Sequence, residues 1–263
     1  MNRIEEKMEQ LKKAGRKAFI TYTTSGLPDM DTTERIMFAQ QEAGIDVMEL
    51  GVPFSDPIAD GSVIQAASYE AILNGATLSK TFELMKKVRD NGLTTPVVYM
   101  MYYTTIYHYG LEAFVDKCIE CGVDGLIIPD LPKEEQGELK AVLDAKDGSP
   151  ILIQLISPVS KQRIPELVKD ARGFVYCVSQ MGVTGGQAEF HKNIREYLSE
   201  VKSASPVPVM MGFGIRTAKD VEPLEDIIDG AIVGSHFIKL LKSSNYDTET
   251  VKEYITTFKT EMA

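Results

Sequence analysis

The sequence predicts the α/β class: a single (β/α)8 TIM barrel over residues 1–263, with an extra N-terminal helix and a short phosphate-binding helix after strand 8. Three observations predict it. Eight short apolar runs recur, separated by segments whose apolar residues fall at helical spacing. The runs are nearly continuous in apolar residues, the pattern of strands covered on both faces. The joins also repeat. Glu42-Ala-Gly-Ile-Asp46-Val-Met and Glu120-Cys-Gly-Val-Asp124-Gly-Leu share one design, and Asp229-Gly-Ala-Ile-Val repeats its second half. In that design a helix ends, glycine takes the left-handed position, and aspartate opens a buried strand. An open doubly wound sheet is the alternative. No linker or low-complexity segment divides the chain, so one domain is expected.

The elements follow in order. Met1-Asn-Arg-Ile-Glu-Glu-Lys-Met mixes both charges and reads as an amphipathic helix, not a signal peptide. Strands are expected near Ala18–Thr24, Val47–Leu50, Val97–Met101, Gly125–Ile128, Ile151–Leu155, Phe174–Val178, Val207–Met211 and Gly230–Val233. Between them, sets such as Ile36, Ala39, Gln40, Ala43 and Leu139, Val142, Leu143, Lys146 mark helices. No apolar run approaches the roughly 20 residues that cross a bilayer. A net charge of -10 without a basic cluster makes nucleic acid and anionic membrane surfaces poor partners. Three cysteines make no disulfide framework, and a reducing cytoplasm is the expected location.

One stretch stands out: Glu49-Leu-Gly-Val-Pro53-Phe-Ser-Asp56-Pro57-Ile-Ala-Asp60-Gly61. Glu49 sits inside a buried strand, where an acid is costly unless it is paired or used. Pro53 and Pro57 stiffen the loop that follows, and Asp60 ends it. In a barrel of this type the site lies at the C-terminal ends of the strands. Those ends supply Tyr22, Glu49, Tyr102, Asp130, Tyr176, Gly212 and Gly234, an acidic and aromatic set without histidine. It points to carboxylate acid–base chemistry on an apolar or aromatic substrate.

Two late glycine loops, Gly212-Phe213-Gly214-Ile-Arg216-Thr and Val233-Gly234-Ser235-His236, follow the last two strands. There, glycines and a helix N-terminus form the recurrent phosphate site of such barrels. Alternatively the glycines only turn the chain. Ser179-Gln-Met-Gly-Val-Thr184-Gly185-Gly-Gln187 reads as a closing loop or a plain surface loop. The remaining features carry less. Cys118 and Cys121 have CxxC spacing without a second ligand pair, so no metal is expected. His108, His191 and His236 are scattered; His236 opens the helix after the strand-eight loop, where it can touch an anion, with a capping or surface role the favoured expectation. Asp130 is as readily structural as catalytic, and Arg216 has the reach for a phosphate, with exposure to solvent the favoured expectation.

Together the motifs resemble the tryptophan synthase α subunit family. The long stretch from Glu49 to Gly61 is followed by Val63-Ile-Gln, Gly182-Val-Thr-Gly185, Gly212-Phe-Gly-Ile215 and Gly234-Ser235 in the family's order and spacing. The resemblance implies retro-aldol cleavage of indole-3-glycerol phosphate to indole and glyceraldehyde 3-phosphate. It assigns Glu49 as the proton shuttle and Asp60 as the acceptor of the indole N–H. Tyr22, Tyr102, Ile127, Pro129 and Tyr176 match pocket positions, and Gly185, Gly212, Phe213, Gly214, Gly234 and Ser235 match phosphate-binding ones. Thr184 matches a loop threonine that helps order the Asp60 loop. No cofactor is implied for this chain. The family's partner is a β subunit that uses pyridoxal phosphate (PLP) and receives the indole, in an α2β2 complex. The loop of Pro53, Asp56 and Pro57, with Thr104, matches the face turned to that partner.

This sequence departs from the family pattern at three places. Tyr22 stands where a non-hydroxylated residue is usual, Thr104 where asparagine is common, and Gly186 where alanine often follows Thr-Gly. The last change predicts weak activity without the partner. Rival readings are a stand-alone lyase releasing free indole and a non-catalytic regulatory partner of a β subunit. Another phosphate-binding barrel, such as a sugar-phosphate isomerase or epimerase, is a further rival.

Overall fold

Every described strand joins one parallel sheet in this computed structural model, which describes residues 2–178 and 187–262, without the side chains of 187–192. The strands are β1 (Ala18–Thr24), β2 (Val47–Gly51), β3 (Val97–Met100), β4 (Gly125–Ile127), β5 (Ile151–Leu152), β6 (Gln154–Ile156), β7 (Val175–Cys177), β8 (Val209–Met211) and β9 (Gly230–Val233). Their order is β5-β4-β3-β2-β1-β9-β8-β7-β6. The run expected as one strand over 151–155 is therefore two, parted at Ile153. The Ile153 amide still bonds to Leu126 C=O of β4, and from Gln154 onward the chain pairs with β7. The two ends of the sheet are thus one residue apart, and the barrel closes through the chain itself. The strand expected from Val207 starts at Val209 because Pro208 has no N–H to give; its carbonyl accepts from Val175 N–H instead.

The helices are α1 (Arg3–Lys13), α2 (Met30–Glu42), α3 (Ser62–Leu73), α4 (Leu78–Asp90), α5 (Tyr103–Tyr109), α6 (Leu111–Cys121), α7 (Gly137–Asp144), α8 (Ile164–Val168), α9 (Gln187–Ala204), α10 (Ser235–Ser243) and α11 (Thr248–Glu261), all but the first lying outside the strands. The expected N-terminal helix is α1, opened by a capping box between Asn2 and Glu5. Its Ile4, Met8 and Leu11 join Ala18, Ile20, Val47, Val98, Ile127, Ile151, Ile153, Phe174, Met210 and Ile232 in the barrel's interior core. The helix therefore plugs the N-terminal mouth, and the open end is the one where the strands finish. A larger core lies between the strands and the outer helices.

The repeated joins have a common physical role. Gly44 and Gly122 take positive φ, 79° and 69°. The aspartate after each reaches sideways to an amide at the start of a neighbouring strand. Asp46 accepts from Phe19 N–H at 2.9 Å, and Asp124 accepts from Val97 N–H at 2.8 Å. Asp229 accepts from Val209 N–H at 2.7 Å. Each carboxylate is balanced by a cation: Lys259 at 2.7 Å, Arg89 at 2.7 Å and Lys202 at 2.6 Å. One residue type thus fixes strand register at three places and satisfies a donor that would otherwise be buried unpaired.

Candidate active site

Alternation along the strands decides what faces the barrel axis. Val47 belongs to the interior core, so Glu49 and Gly51, two and four residues on, share its face. Tyr22 is in register with Glu49, and Glu49 with Val98. Two glycines make room above this layer. A Cβ on Gly51 would lie 2.0 Å from the Tyr22 hydroxyl, and one on Gly212 would lie 2.0 Å from the Tyr176 ring. Both tyrosines lie across the space that larger residues would fill.

Above them opens a cleft of about 670 Å³. Tyr22, Glu49, Asp60, Ile64, Met100, Tyr176, Phe213 and Ile232 line one part of it. Gly212, Gly214, Gly234, Ser235, Arg216, His236 and Lys239 line the other. The first part is apolar and aromatic with two carboxyls. The second is glycine-lined and basic.

Glu49 is 1 % exposed, and both its carboxyl oxygens lack a hydrogen-bond partner among the described residues. Burial, with the nearby Asp60 charge, pushes its pKa up to about 8. Most of the population is then protonated at pH 7, and the acid is still able to ionise. Asp60 is pushed up to about 6, again chiefly by burial, while the Tyr102 hydroxyl pulls the other way. That hydroxyl donates to Asp60 Oδ2 at 3.2 Å and accepts from Ala59 N–H at 2.9 Å. Two acids in one cleft thus carry different proton affinities, the condition for dividing acid and base roles.

At the basic end, the first backbone bond of α10 runs from Ile238 N–H to Gly234 C=O. The amides of Ser235, His236 and Phe237 therefore have no helical acceptor, and the helix dipole adds partial positive charge at the same point. Gly214 has φ 69° and turns the β8 loop toward it. Burial, with Arg216 and Lys239 close by, pushes the His236 imidazole below its ordinary value.

The sequence-derived residues do not all reach the cleft. Tyr22, Glu49, Asp60, Tyr176, Gly212, Phe213, Gly214, Gly234 and Ser235 border the one cleft. Tyr102 stands behind Asp60 and holds it, whereas Ile127 is in the interior core and Pro129, half-buried, does not border the cleft. Thr184 and Gly185 lie outside the described residues. Asp130 accepts from Tyr103 N–H at 2.8 Å and serves the start of α5. Arg216, for which solvent exposure is the favoured expectation over a reach to phosphate, is exposed and also borders the cleft, and His236 and Lys239 border it too. Lys239 was missed; its place four residues after Ser235, one turn along the same helix face, is the signal that could have found it.

On the outer side of the Asp60 loop, Asp56 and Thr104 are exposed, and Pro53 and Pro57 partly so. Ile58 (84 % exposed), Tyr69 and Tyr107 add apolar surface around them. No helix among the described residues is long and apolar enough to cross a membrane.

The family model for the tryptophan synthase alpha chain matches residues 8–263. The tryptophan synthase alpha chain of Lachnospira eligens is 70% identical over 262 residues, covering 100% of this chain and 99% of that one. That of Alkaliphilus metalliredigens is 41% identical, covering 96% and 94%. Among solved structures, tryptophan synthase subunit alpha from Legionella pneumophila str. Paris superposes with a TM-score of 0.89 at 29% identity, covering 100% of this chain and 98% of that one. A chain of Mycobacterium tuberculosis tryptophan synthase gives 0.87 at 29%, covering 99% and 98%. The chain belongs to the tryptophan synthase alpha chain family.

Proposed function

We propose that Glu49 and Asp60 carry the family's carbon–carbon lyase reaction in this cleft, splitting indole-3-glycerol phosphate into indole and glyceraldehyde 3-phosphate. The observation that carries the reading is Glu49, a solitary buried acid with its pKa raised to about 8, beside Asp60 with its own raised to about 6. The bipolar cleft supports the substrate class. Its aromatic end suits a flat indole ring, and its basic, glycine-lined end suits a phosphate held by the α10 amides.

The chemistry then runs in balanced steps. Protonated Glu49 gives its proton to the ring carbon that bears the glycerol chain. Positive charge develops on the ring, and ionised Asp60 stabilises it by accepting a hydrogen bond from the ring N–H. The Glu49 carboxylate takes the proton of the hydroxyl on the adjacent carbon. The carbon–carbon bond breaks, its electron pair restores the aromatic ring, and the hydroxyl carbon becomes the aldehyde. Glu49 ends protonated, ready for another turnover. Burial makes both halves feasible: it raises the protonated fraction, and it leaves the transient carboxylate a strong base.

This chain needs no cofactor of its own for these steps. The exposed loop face around Pro53, Asp56 and Pro57, with Thr104 and Ile58, is the surface for a PLP-dependent β subunit that consumes the indole, in an α2β2 complex in the cytoplasm. The test is indole release from indole-3-glycerol phosphate by the pure chain, then with a PLP-dependent β subunit added. Slow release that rises sharply on addition is expected. Fast release that ignores the partner would favour a stand-alone lyase, and no release in either case would refute the reading.

A further inference from the structure

Ser68 lies on α3 and does not border the cleft, yet it is only 4 % exposed and its hydroxyl makes two bonds to one residue. Phe54 N–H donates to Ser68 Oγ at 2.8 Å, and the Ser68 hydroxyl donates to Phe54 C=O at 3.0 Å. The Phe54 ring stacks on Tyr102, with centroids 4.9 Å apart and planes 18° apart. Tyr102 in turn holds Ala59 N–H and Asp60 Oδ2. Pro53 and Pro57 have no amide hydrogen, so few donors anchor this loop. The amides of Ile58 and Asp60 bond within the loop itself, to Asp56 and Pro57 carbonyls. The Gln65 side chain also reaches the Pro57 and Asp60 carbonyls, at 3.3 and 2.8 Å, but from an exposed position.

We infer that Ser68 is a positioning residue for Asp60: by clamping both backbone groups of Phe54 it seats the ring on which Tyr102 stacks, and so sets the hydroxyl that orients the Asp60 carboxyl. This deepens the lyase reading and rests on it for the turnover readout. Removing the clamp leaves the Phe54 backbone groups to find other partners, frees the ring and loosens the Tyr102 bond. Asp60 then loses a donor that favours its ionised form, and its titration moves to higher pH. The other groups around Asp60, namely Glu49, Tyr22 and Tyr176 with the more distant Arg216, His236 and Lys239, are unchanged by the substitution.

The test compares the full chain with Ser68→Ala, Ser68→Thr, Phe54→Leu and Tyr102→Phe. Turnover is measured against pH, and the Asp60 side-chain carboxyl is titrated by carbon NMR. Ser68→Ala is expected to lower kcat roughly tenfold with little change in KM, the signature of a misplaced reacting group. It should move the Asp60 titration upward, as Tyr102→Phe does, and Ser68→Thr should restore both. A folded Ser68→Ala with wild-type kcat and an unmoved Asp60 titration would overturn the inference. If Ser68→Ala does not fold, Phe54→Leu decides it, since it removes the stack and keeps the clamp; an unmoved titration there overturns it equally. A wild-type chain that releases no indole defeats the lyase reading, and the NMR titration still decides the role of Ser68.

Discussion

Replacing Glu49 with Gln should make the protein more stable at neutral pH while destroying its chemistry. The carboxyl titrates from an ordinary 4.5 when unfolded to about 8 in the fold. A carboxyl whose folded value is raised binds its proton more tightly in the native state. Its penalty is therefore absent below pH 4.5, grows as pH rises from there, and levels off above pH 8. At ~1.4 kcal/mol per pKa unit, the folded protein carries a cost of roughly 3 kcal/mol at pH 7 and roughly 5 kcal/mol above pH 8. Glutamine has nearly the same shape and does not ionise. The assay is equilibrium urea unfolding of wild type and Glu49→Gln at pH 5, 7 and 8.5, checked for an unchanged m-value. The difference in favour of the variant should be under about 1 kcal/mol at pH 5 and increase steadily with pH. Equal stabilities at pH 8.5, or a variant less stable there, would refute the claim that Glu49 is buried without a partner.

The two acids also predict a pH profile for kcat/KM. Activity should rise through about pH 6 as Asp60 ionises and fall through about pH 8 as Glu49 loses its proton, and a profile flat from 5 to 9 would contradict the roles. Gly51→Ala puts a methyl group 2.0 Å from the Tyr22 hydroxyl. It should lower stability by about 1–3 kcal/mol and raise KM, read by urea melts and steady-state kinetics. Arg89→Ala strips the Asp124 carboxylate, 3% exposed, of its closest buried cation at 2.7 Å. A loss of roughly 3–5 kcal/mol with unchanged kcat in the folded fraction is expected, by denaturant titration and active-site counting.

Much of this site is legible in the sequence because glycine, proline and buried acids have narrow physical uses. Glu49 announces itself as a carboxyl inside an apolar run, and the structure shows why the signal is clean: nothing described bonds to it. The repeated Gly-x-Asp joins mark Asp46 and Asp124 as strand openers, but their sideways bonds to Phe19 and Val97 depend on which strands are neighbours. Register of that kind is a long-range fact. The same holds for Tyr102. Its position suggests a pocket wall, whereas its hydroxyl crosses to Asp60, 42 residues away in the chain. Lys239 escapes a reading by type because exposed cations are common, and only the fold brings it, with Arg216, to the basic end of the cleft. The parting of the fifth strand at Ile153 is marked by no turn residue: the one polar residue of 151–156, Gln154, lies inside β6.

The proposed mechanism turns on proton transfer by Glu49. Its most direct test is indole formation by wild type and Glu49→Gln at pH 7, with substrate binding measured in parallel. The variant is expected to bind indole-3-glycerol phosphate still, because the cleft keeps its shape, and to lose several kcal/mol in barrier terms, on the order of a thousandfold or more in kcat. Turnover of the variant within a few-fold of wild type would remove Glu49 from the mechanism.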